Sequence, residues 1–171
     1  MPYTDLLRVT VLLTGAEATA LAAITAVVSN RDSDTTTLIV AAVWWLAALA
    51  IGFYLGRPSR AADGMRDALA RARTETSLPP ETPSRIAIAR LWPIAVTAIA
   101  AGALGVFFPG VAAIGAGYAL LVSLAWHTRE AAVLAIEQRD GVKFYVVPTS
   151  ALRPIKLVRT PGLMSDPSTR A

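Results

Sequence analysis

Glu17 is the residue of this sequence best placed to do chemistry, because it lies inside an apolar segment long enough to cross a membrane. A charged carboxylate at that depth costs roughly 3 kcal/mol unless it is paired, solvated or protonated, so acids there often mark ion or proton sites. Thr97 and Tyr118, in two later apolar segments, are its candidate partners. A neutral glutamate can also hydrogen-bond a neighbouring helix without any role in transport. The sequence therefore predicts a polar site at Glu17, Thr97 and Tyr118 and leaves both roles open.

The sequence lacks the motifs of common enzyme classes. It has no serine elbow, no Walker lysine loop, no H-E-x-x-H and no G-x-G-x-x-G. Because there is no cysteine and His127 is the single histidine, thiolate zinc sites and a multi-histidine metal site within one subunit are excluded. His127 near Glu130 could act as a general base, but a lone histidine at the end of a span is more often an interfacial anchor. We expect no cofactor, no metal and no catalytic residue.

The basic residues flank the apolar segments. The net charge of +4 and the pI near 10.0 would suggest a nucleic-acid partner if the protein were soluble. Beside membrane spans, the same residues suit anionic lipid headgroups, so the expected partners are the lipid bilayer and its anionic lipids rather than nucleic acid. The candidate lipid contacts are Arg57, Arg60, Arg66, Arg73, Arg153, Lys156 and Arg159.

The chain that positions these residues is unusually apolar, with 54% hydrophobic and 16% charged residues, whereas soluble domains carry about 25% charged residues. The stretch from Ile94 to Trp126 has no charged side chain and is interrupted only by Pro109 and Gly110. Since an unpaired backbone amide in hydrocarbon costs several kcal/mol, this stretch predicts two membrane helices joined by a tight turn.

Two earlier apolar runs, Val9 to Val28 and Thr37 to Tyr54, bring the number of predicted spans to four. About 20 helical residues cover the roughly 30 Å hydrocarbon core of a bilayer. The predicted fold class is an all-α membrane protein, in which four transmembrane helices form a small bundle and a short cytoplasmic C-terminal segment resembles a β-hairpin.

Small residues four positions apart predict close packing of the third and fourth spans. Trp44 and Trp45 lie inside the second span, away from the interface where tryptophan is usually enriched. We expect both rings to pack on the small-residue faces of the third and fourth spans. The small-residue pairs are Ala98 and Gly102, Ala101 and Gly105, and Ala113 and Gly117.

The loop at 57–85 contains Met65 and Leu69 four positions apart, which indicates a short, weakly amphipathic helix ahead of a proline-rich linker. The first two spans occupy 1–56, this loop 57–85 and the second pair of spans 86–132.

The segment at 133–160 is predicted to be a small β segment. Asp140 and Gly141 favour a hairpin turn before a strand at 142–147, and 153–159 alternates like a further strand. An alternative extends the fourth helix to Gln138 with Gly141 as its C-cap residue; we favour the hairpin. Residues 161–171 are predicted to be disordered.

Basic residues predict which side of the membrane each loop occupies. The segments 57–90 and 127–171 each carry seven Lys or Arg, whereas the connector at 30–36 carries one. Because positive residues concentrate on the cytoplasmic side, we expect both termini in the cytoplasm of a bacterium, with the spans in its inner membrane.

The expected function is a non-enzymatic interaction or accessory module, acting as a homo-oligomer or within a larger membrane complex. The alternative is a small oligomeric transporter or channel that uses Glu17. A lipid-modifying membrane enzyme ranks lowest.

Single cysteines at Ser33 and Ser77 test this topology, because the protein has no native cysteine. In intact cells, a membrane-impermeant maleimide should label the cysteine at position 33 and leave the one at position 77 unlabelled until the cells are opened. Labelling only at position 77 would contradict the predicted sidedness.

Overall fold

The apolar runs of the sequence become four long helices whose bounds follow local capping and turn residues. The computed structural model describes residues 1–58, 69, 72–74, 83–147, 149, 151 and 155–161. In chain order, these residues form α1 (Tyr3–Arg31), α2 (Thr35–Leu55), β1 (Arg73–Thr74), α3 (Pro83–Gly105), α4 (Pro109–Trp126), α5 (Arg129–Asp140), β2 (Val142–Val146) and β3 (Leu157–Pro161).

The prediction of a mostly helical chain with four long apolar helices is confirmed. The helices α1, α2, α3 and the helical segment that begins with α4 are each long and apolar enough to cross a membrane.

A capping side chain fixes the residue at which α2 begins. The Asp34 carboxylate accepts hydrogen bonds from the Thr37 amide, at 3.0 Å, and from its hydroxyl. These bonds hold the pKa of Asp34 below its usual value.

The central element of the bundle is α4, which packs against α1, α2 and α3. Its buried side chains are no larger than a methyl group, so neighbouring helices approach its backbone closely. The α1 side chain Leu21 forms a small core with α4. The buried residues of α4 are Ala112, Ala113, Ala116, Gly117, Ala119 and Ala125.

The paired tryptophans of α2 bind the backbone of α4. Trp45 Nε1 donates to the Ala113 carbonyl at 2.9 Å, and Trp44 Nε1 donates to the Ile114 carbonyl at 3.3 Å. The Trp44 ring lies on Gly117, where an added Cβ would be 1.9 Å from the indole nitrogen. The predicted packing of these rings on small residues is therefore confirmed for the fourth span, whereas these contacts do not include the third.

The predicted direction of one small-residue pair is wrong, because Gly117 faces α2 and not α3. The predicted pair Ala101 and Gly105 does lie at the contact between α3 and α4: a Cβ on Gly105 would be 2.5 Å from the Ala112 Cβ, and a Cβ on Gly115 would be 3.4 Å from the Ala101 Cβ. Gly102 faces Ile24 of α1. Spacing by four identifies a face of a helix, but it does not say which neighbour that face meets.

A second hydrophobic core lies at the end of the bundle where α1 begins and α4 ends, and we call it the terminal core. It contains the largest fully buried side chains, including Phe144 and Leu7. The start of the chain is part of it, because the Met1 carbonyl accepts from the Val146 amide at 3.0 Å. Its buried members are Tyr3, Leu6, Leu7, Leu69, Ile86, Val133, Phe144, Val146 and Leu157.

The sheet of the terminal core has the order β1-β3-β2. The strands β2 and β3 are antiparallel, with Val142 opposite Pro161 and Val146 opposite Leu157, whereas β1 is parallel to β3. The Glu137 carboxylate accepts from the Phe144 amide at 2.9 Å and so joins α5 to β2.

The predicted hairpin turn at Asp140 and Gly141 is wrong. Residues 133–139, assigned above to a β segment, belong to α5, which ends at Gly141 in the left-handed conformation with φ 62°. Its amide donates to the Glu137 carbonyl, as in a glycine C-cap. The run of Ala and Glu favours a helix over a strand. The strand β2 pairs instead with β3, which follows it in the chain.

Two further predictions fall at the edges of the described structure. Pro161, predicted to be disordered, is paired in β3. The predicted helix at Met65, the proline-rich linker and the tail 162–171 lie outside the described residues, although Leu69 itself is buried in the terminal core.

The contact of Trp44 with Gly117 predicts that Gly117→Ala lowers the free energy of unfolding by about 1–3 kcal/mol, because the new methyl group displaces the ring. Gly110→Ala is the matched control, since an added Cβ there meets nothing within 4 Å. Unfolding of the purified protein in a denaturing detergent titration measures both. Equal stability of the two variants would contradict the contact, and adding Trp44→Ala should reduce the penalty of Gly117→Ala.

Candidate functional site

The helices α1, α3 and α4 enclose an open groove of about 270 Å³, which we call the Glu17 groove. Its polar lining comes from Thr14 and Glu17 of α1, Thr97 of α3 and Tyr118 of α4. Three of these four residues are those the sequence singles out as a polar site, and the structure brings them to one groove. Small or aliphatic residues line the rest: Ile94, Ala101, Gly115, Ala119 and Val122.

Thr14 is the member that the sequence reasoning missed. It lies three residues before Glu17 on the same helix, a spacing that places two side chains on one face. Its hydroxyl donates to the Thr10 carbonyl at 2.9 Å and is buried. The i, i+3 spacing from an intramembrane acid is the signal that could have found it.

The threonine hydroxyls of the groove donate to their own helices. Thr97 Oγ1 lies 3.0 Å from the Pro93 carbonyl oxygen and 2.9 Å from that of Ile94. Each hydroxyl has one proton, and that proton already forms a hydrogen bond within the helix. The oxygens of Thr14 and Thr97 can therefore bind a further partner only as hydrogen-bond acceptors. They suit a proton donor or a cation.

Glu17 is partly exposed along the groove. Across the part of the chain that the structure describes, its carboxyl group has no hydrogen bond or ion pair. Tyr118 is 58% exposed, and its ring meets Trp44 of α2 edge-on at a centroid distance of 5.3 Å. The packing of α2 on α4 therefore also fixes one wall of the Glu17 groove.

A second groove, of about 390 Å³, lies between α2 and α4 near Trp44 and Gly110. Its polar side chains are Thr36, Thr37 and the indole of Trp44, and its lining contains no ionisable side chain. It is the larger space, but the chemistry of the bundle is concentrated around Glu17.

No protein-family model, curated protein or solved structure matches this chain. The role of the Glu17 groove is therefore argued from its own chemistry. It combines one carboxyl group with three hydroxyl oxygens in an otherwise apolar wall, which suits a hydrogen-bonding helix, a proton or a monovalent cation. Within the described ranges, no three His, Cys, Asp or Glu side chains converge on one point.

His127 follows the last residue of α4, and its described contacts are with Leu124 and Phe53 rather than with Glu130. Its Nδ1 donates to the Leu124 carbonyl, and its ring meets Phe53 edge-on at a centroid distance of 6.5 Å. These contacts fit an anchor at the helix end.

The candidate lipid contacts that the structure describes include Arg57, Arg73, Lys156 and Arg159. The Arg57 guanidinium lies 5.0 Å from the centroid of the Tyr54 ring. Lys156 and Arg159 are exposed beside and within β3, and Arg73 contributes backbone to β1. Three of the candidates lie outside the described residues: Arg60, Arg66 and Arg153.

The open groove predicts that an apolar carbodiimide labels Glu17 in the purified protein. Peptide mass spectrometry should find the adduct on the peptide that contains Glu17, and Glu17→Gln should abolish it. Ala101→Phe should slow the labelling several-fold because Ala101 lines the groove. Ala100→Phe is the control, since Ala100 is exposed outside the lining. An unchanged rate in Ala101→Phe would contradict access through this groove.

Proposed function

We propose that this chain is a four-span protein of a bacterial inner membrane and that it acts as a non-enzymatic interaction module. In this proposal both termini are cytoplasmic, and the Glu17 groove is the place where a neighbouring membrane helix binds.

The exposure of large apolar side chains supports the membrane location. Leu46 of α2 is 66% exposed and Ile99 of α3 is 71% exposed, and both belong to long faces of the same character. Soluble monomers rarely expose contiguous apolar patches above a few hundred Å². Hydrocarbon is the solvent that suits these faces.

The charge distribution supports the orientation. The chain start, α5 and the sheet meet in the terminal core at one end of the bundle. At that end the Thr128 hydroxyl donates to the Gly56 carbonyl, so Arg57 and Arg129, which follow in the chain, lie near it. At the opposite end, Arg31 pairs with Asp32 at 3.0 Å. The positive-inside rule then favours a cytoplasmic terminal core.

The observation that carries the interaction role is the carboxyl group of Glu17, which lines an open groove in the bundle without a partner in the described structure. In hydrocarbon, a polar group without a partner favours association with a helix that can hydrogen-bond it. The acceptor oxygens of Thr14 and Thr97 beside it would bind a donor on the same incoming helix.

Association measured in lipid bilayers tests this role. Glu17→Leu removes the hydrogen-bonding group and should weaken association with the partner helix or second copy about 3- to 20-fold. Glu17→Gln keeps hydrogen-bonding capacity and should associate nearly as well as the wild type. Thr19→Leu is the control, because Thr19 is an exposed residue of α1 that does not line the groove. Energy transfer between labelled chains in vesicles is the measurement, and wild-type association of Glu17→Leu would refute the role.

The second candidate function is a small oligomeric transporter or channel, favoured by the convergence of four oxygen-bearing side chains on one groove. Glu17→Gln separates the two functions because it cannot exchange a proton. The interaction module is supported if the wild type and Glu17→Gln both associate and neither conducts protons or cations in proteoliposomes. A wild-type flux that Glu17→Gln abolishes supports the transporter.

A further inference from the structure

Two polar groups of the Glu17 groove have no hydrogen-bonding partner within the part of the chain that the structure describes. The Glu17 carboxyl group and the Tyr118 hydroxyl both line the groove, yet they bond neither to each other nor to another described residue. A carboxyl group accepts hydrogen bonds in either protonation state, and a phenol hydroxyl donates one. One copy of the chain therefore presents an unused acceptor and an unused donor in the same groove.

Hydrogen bonds between α1 and α4 fix the depth of both groups in the bundle. The Ser123 hydroxyl of α4 donates to the Val11 carbonyl of α1 at 3.2 Å. Towards the other end, the Thr25 hydroxyl donates to the Pro109 carbonyl at 3.5 Å. These two bonds are separated by the same number of residues on both helices, so the register of the pair is constant. Counted from the first bond, the glutamate and the tyrosine differ by one residue, which is a rise of about 1.5 Å.

The tyrosine lies where it can reach beyond its own copy. Its ring is held edge-on against Trp44 of α2, and both Tyr118 and Ile114, one turn earlier on α4, are more than half exposed. The helix α3, which also lines the groove, is the least buried of the four spans. Only 6% of the residues in its most apolar window are buried, against 33% for the segment that begins with α4. This side of the bundle is therefore accessible to a second copy.

A second copy of the chain carries both complementary groups at the matching depth. Copies of a membrane protein insert with the same orientation, so a two-fold axis between them runs along the membrane normal and keeps every residue at its depth. Any contact from the first copy to the second then forms again in the reverse direction. A different helix would need to present its own donor and acceptor at this level.

We propose that two copies of this chain dimerise through their Glu17 grooves, with the Glu17 carboxyl group of each copy accepting a hydrogen bond from the Tyr118 hydroxyl of the other. This inference names the partner in the proposed interaction role and rests on that role. The site is complete only in the dimer, because the donor for each carboxyl group comes from the second copy. Hydrocarbon favours the reciprocal bonds, since it offers the two groups no water to bind instead.

Tyr118→Phe tests the donor. The variant loses the hydroxyl and keeps the ring against Trp44, so the fold of one copy should be unchanged. Self-association of the full chain in vesicles, measured by energy transfer between labelled copies, should weaken about 3- to 20-fold, as for Glu17→Leu. Tyr145→Phe is the matched control, because Tyr145 lies in β2 and does not line the groove. Self-association of Tyr118→Phe at the wild-type level would overturn the proposal.

Mixing the two variants tests whether the bond joins different copies. In a dimer of a Glu17→Leu chain with a Tyr118→Phe chain, the remaining carboxyl group faces the remaining hydroxyl, and leucine faces phenylalanine. Each homodimer instead keeps two polar groups without a partner. The mixed dimer should therefore associate several-fold more tightly than either homodimer. Equal affinities of the mixed dimer and both homodimers would overturn the reciprocal pairing.

The same measurements separate this dimer from the wider interaction role. If Glu17→Leu weakens self-association and Tyr118→Phe does not, the carboxyl group acts at an interface but the reciprocal pair is wrong. If the wild type does not self-associate but binds another membrane protein through Glu17, the dimer is wrong and the interaction role stands. If Glu17→Leu changes neither kind of association, the proposed function itself fails.

Discussion

The structure depends on how closely α4 lets other helices approach. Its buried residues are alanines and one glycine, so the indole groups of α2 reach its backbone carbonyls and α1 and α3 pack on its other faces. In the proposed membrane location, apolar side chains gain little from leaving the hydrocarbon, and close packing with a few polar contacts has to hold the helices together. Larger side chains at these positions would separate α4 from its neighbours and open the Glu17 groove.

The terminal core follows a different principle. It buries Phe144, Leu7, Ile86 and other large apolar side chains, as the core of a water-soluble domain does. Because Met1 pairs with β2 and Tyr3 is buried beside α5, the first turn of α1 belongs to this core while the rest of α1 belongs to the bundle. One helix thus joins the two cores, and its rigid 29-residue length fixes the distance between Tyr3 and Glu17.

The Glu17 groove belongs to the part of the molecule in which small residues pack closely. Glu17 is an acid in a groove that is otherwise lined mostly by small or aliphatic residues, so polar partners are scarce there. The terminal core lies at the end of the bundle where α1 begins, and the groove lies further along α1.

The sequence alone determined the four apolar helices, the turn at Pro109 and the polar character of Glu17, Thr97 and Tyr118, because hydropathy and helix breaking are properties of a short stretch of chain. Only the tertiary structure decided that Gly117 faces α2, that Gly105 meets Ala112 of α4 and that β3 lies between β1 and β2. These outcomes depend on which distant segment packs against each face, and a residue's neighbours in sequence carry no record of that choice.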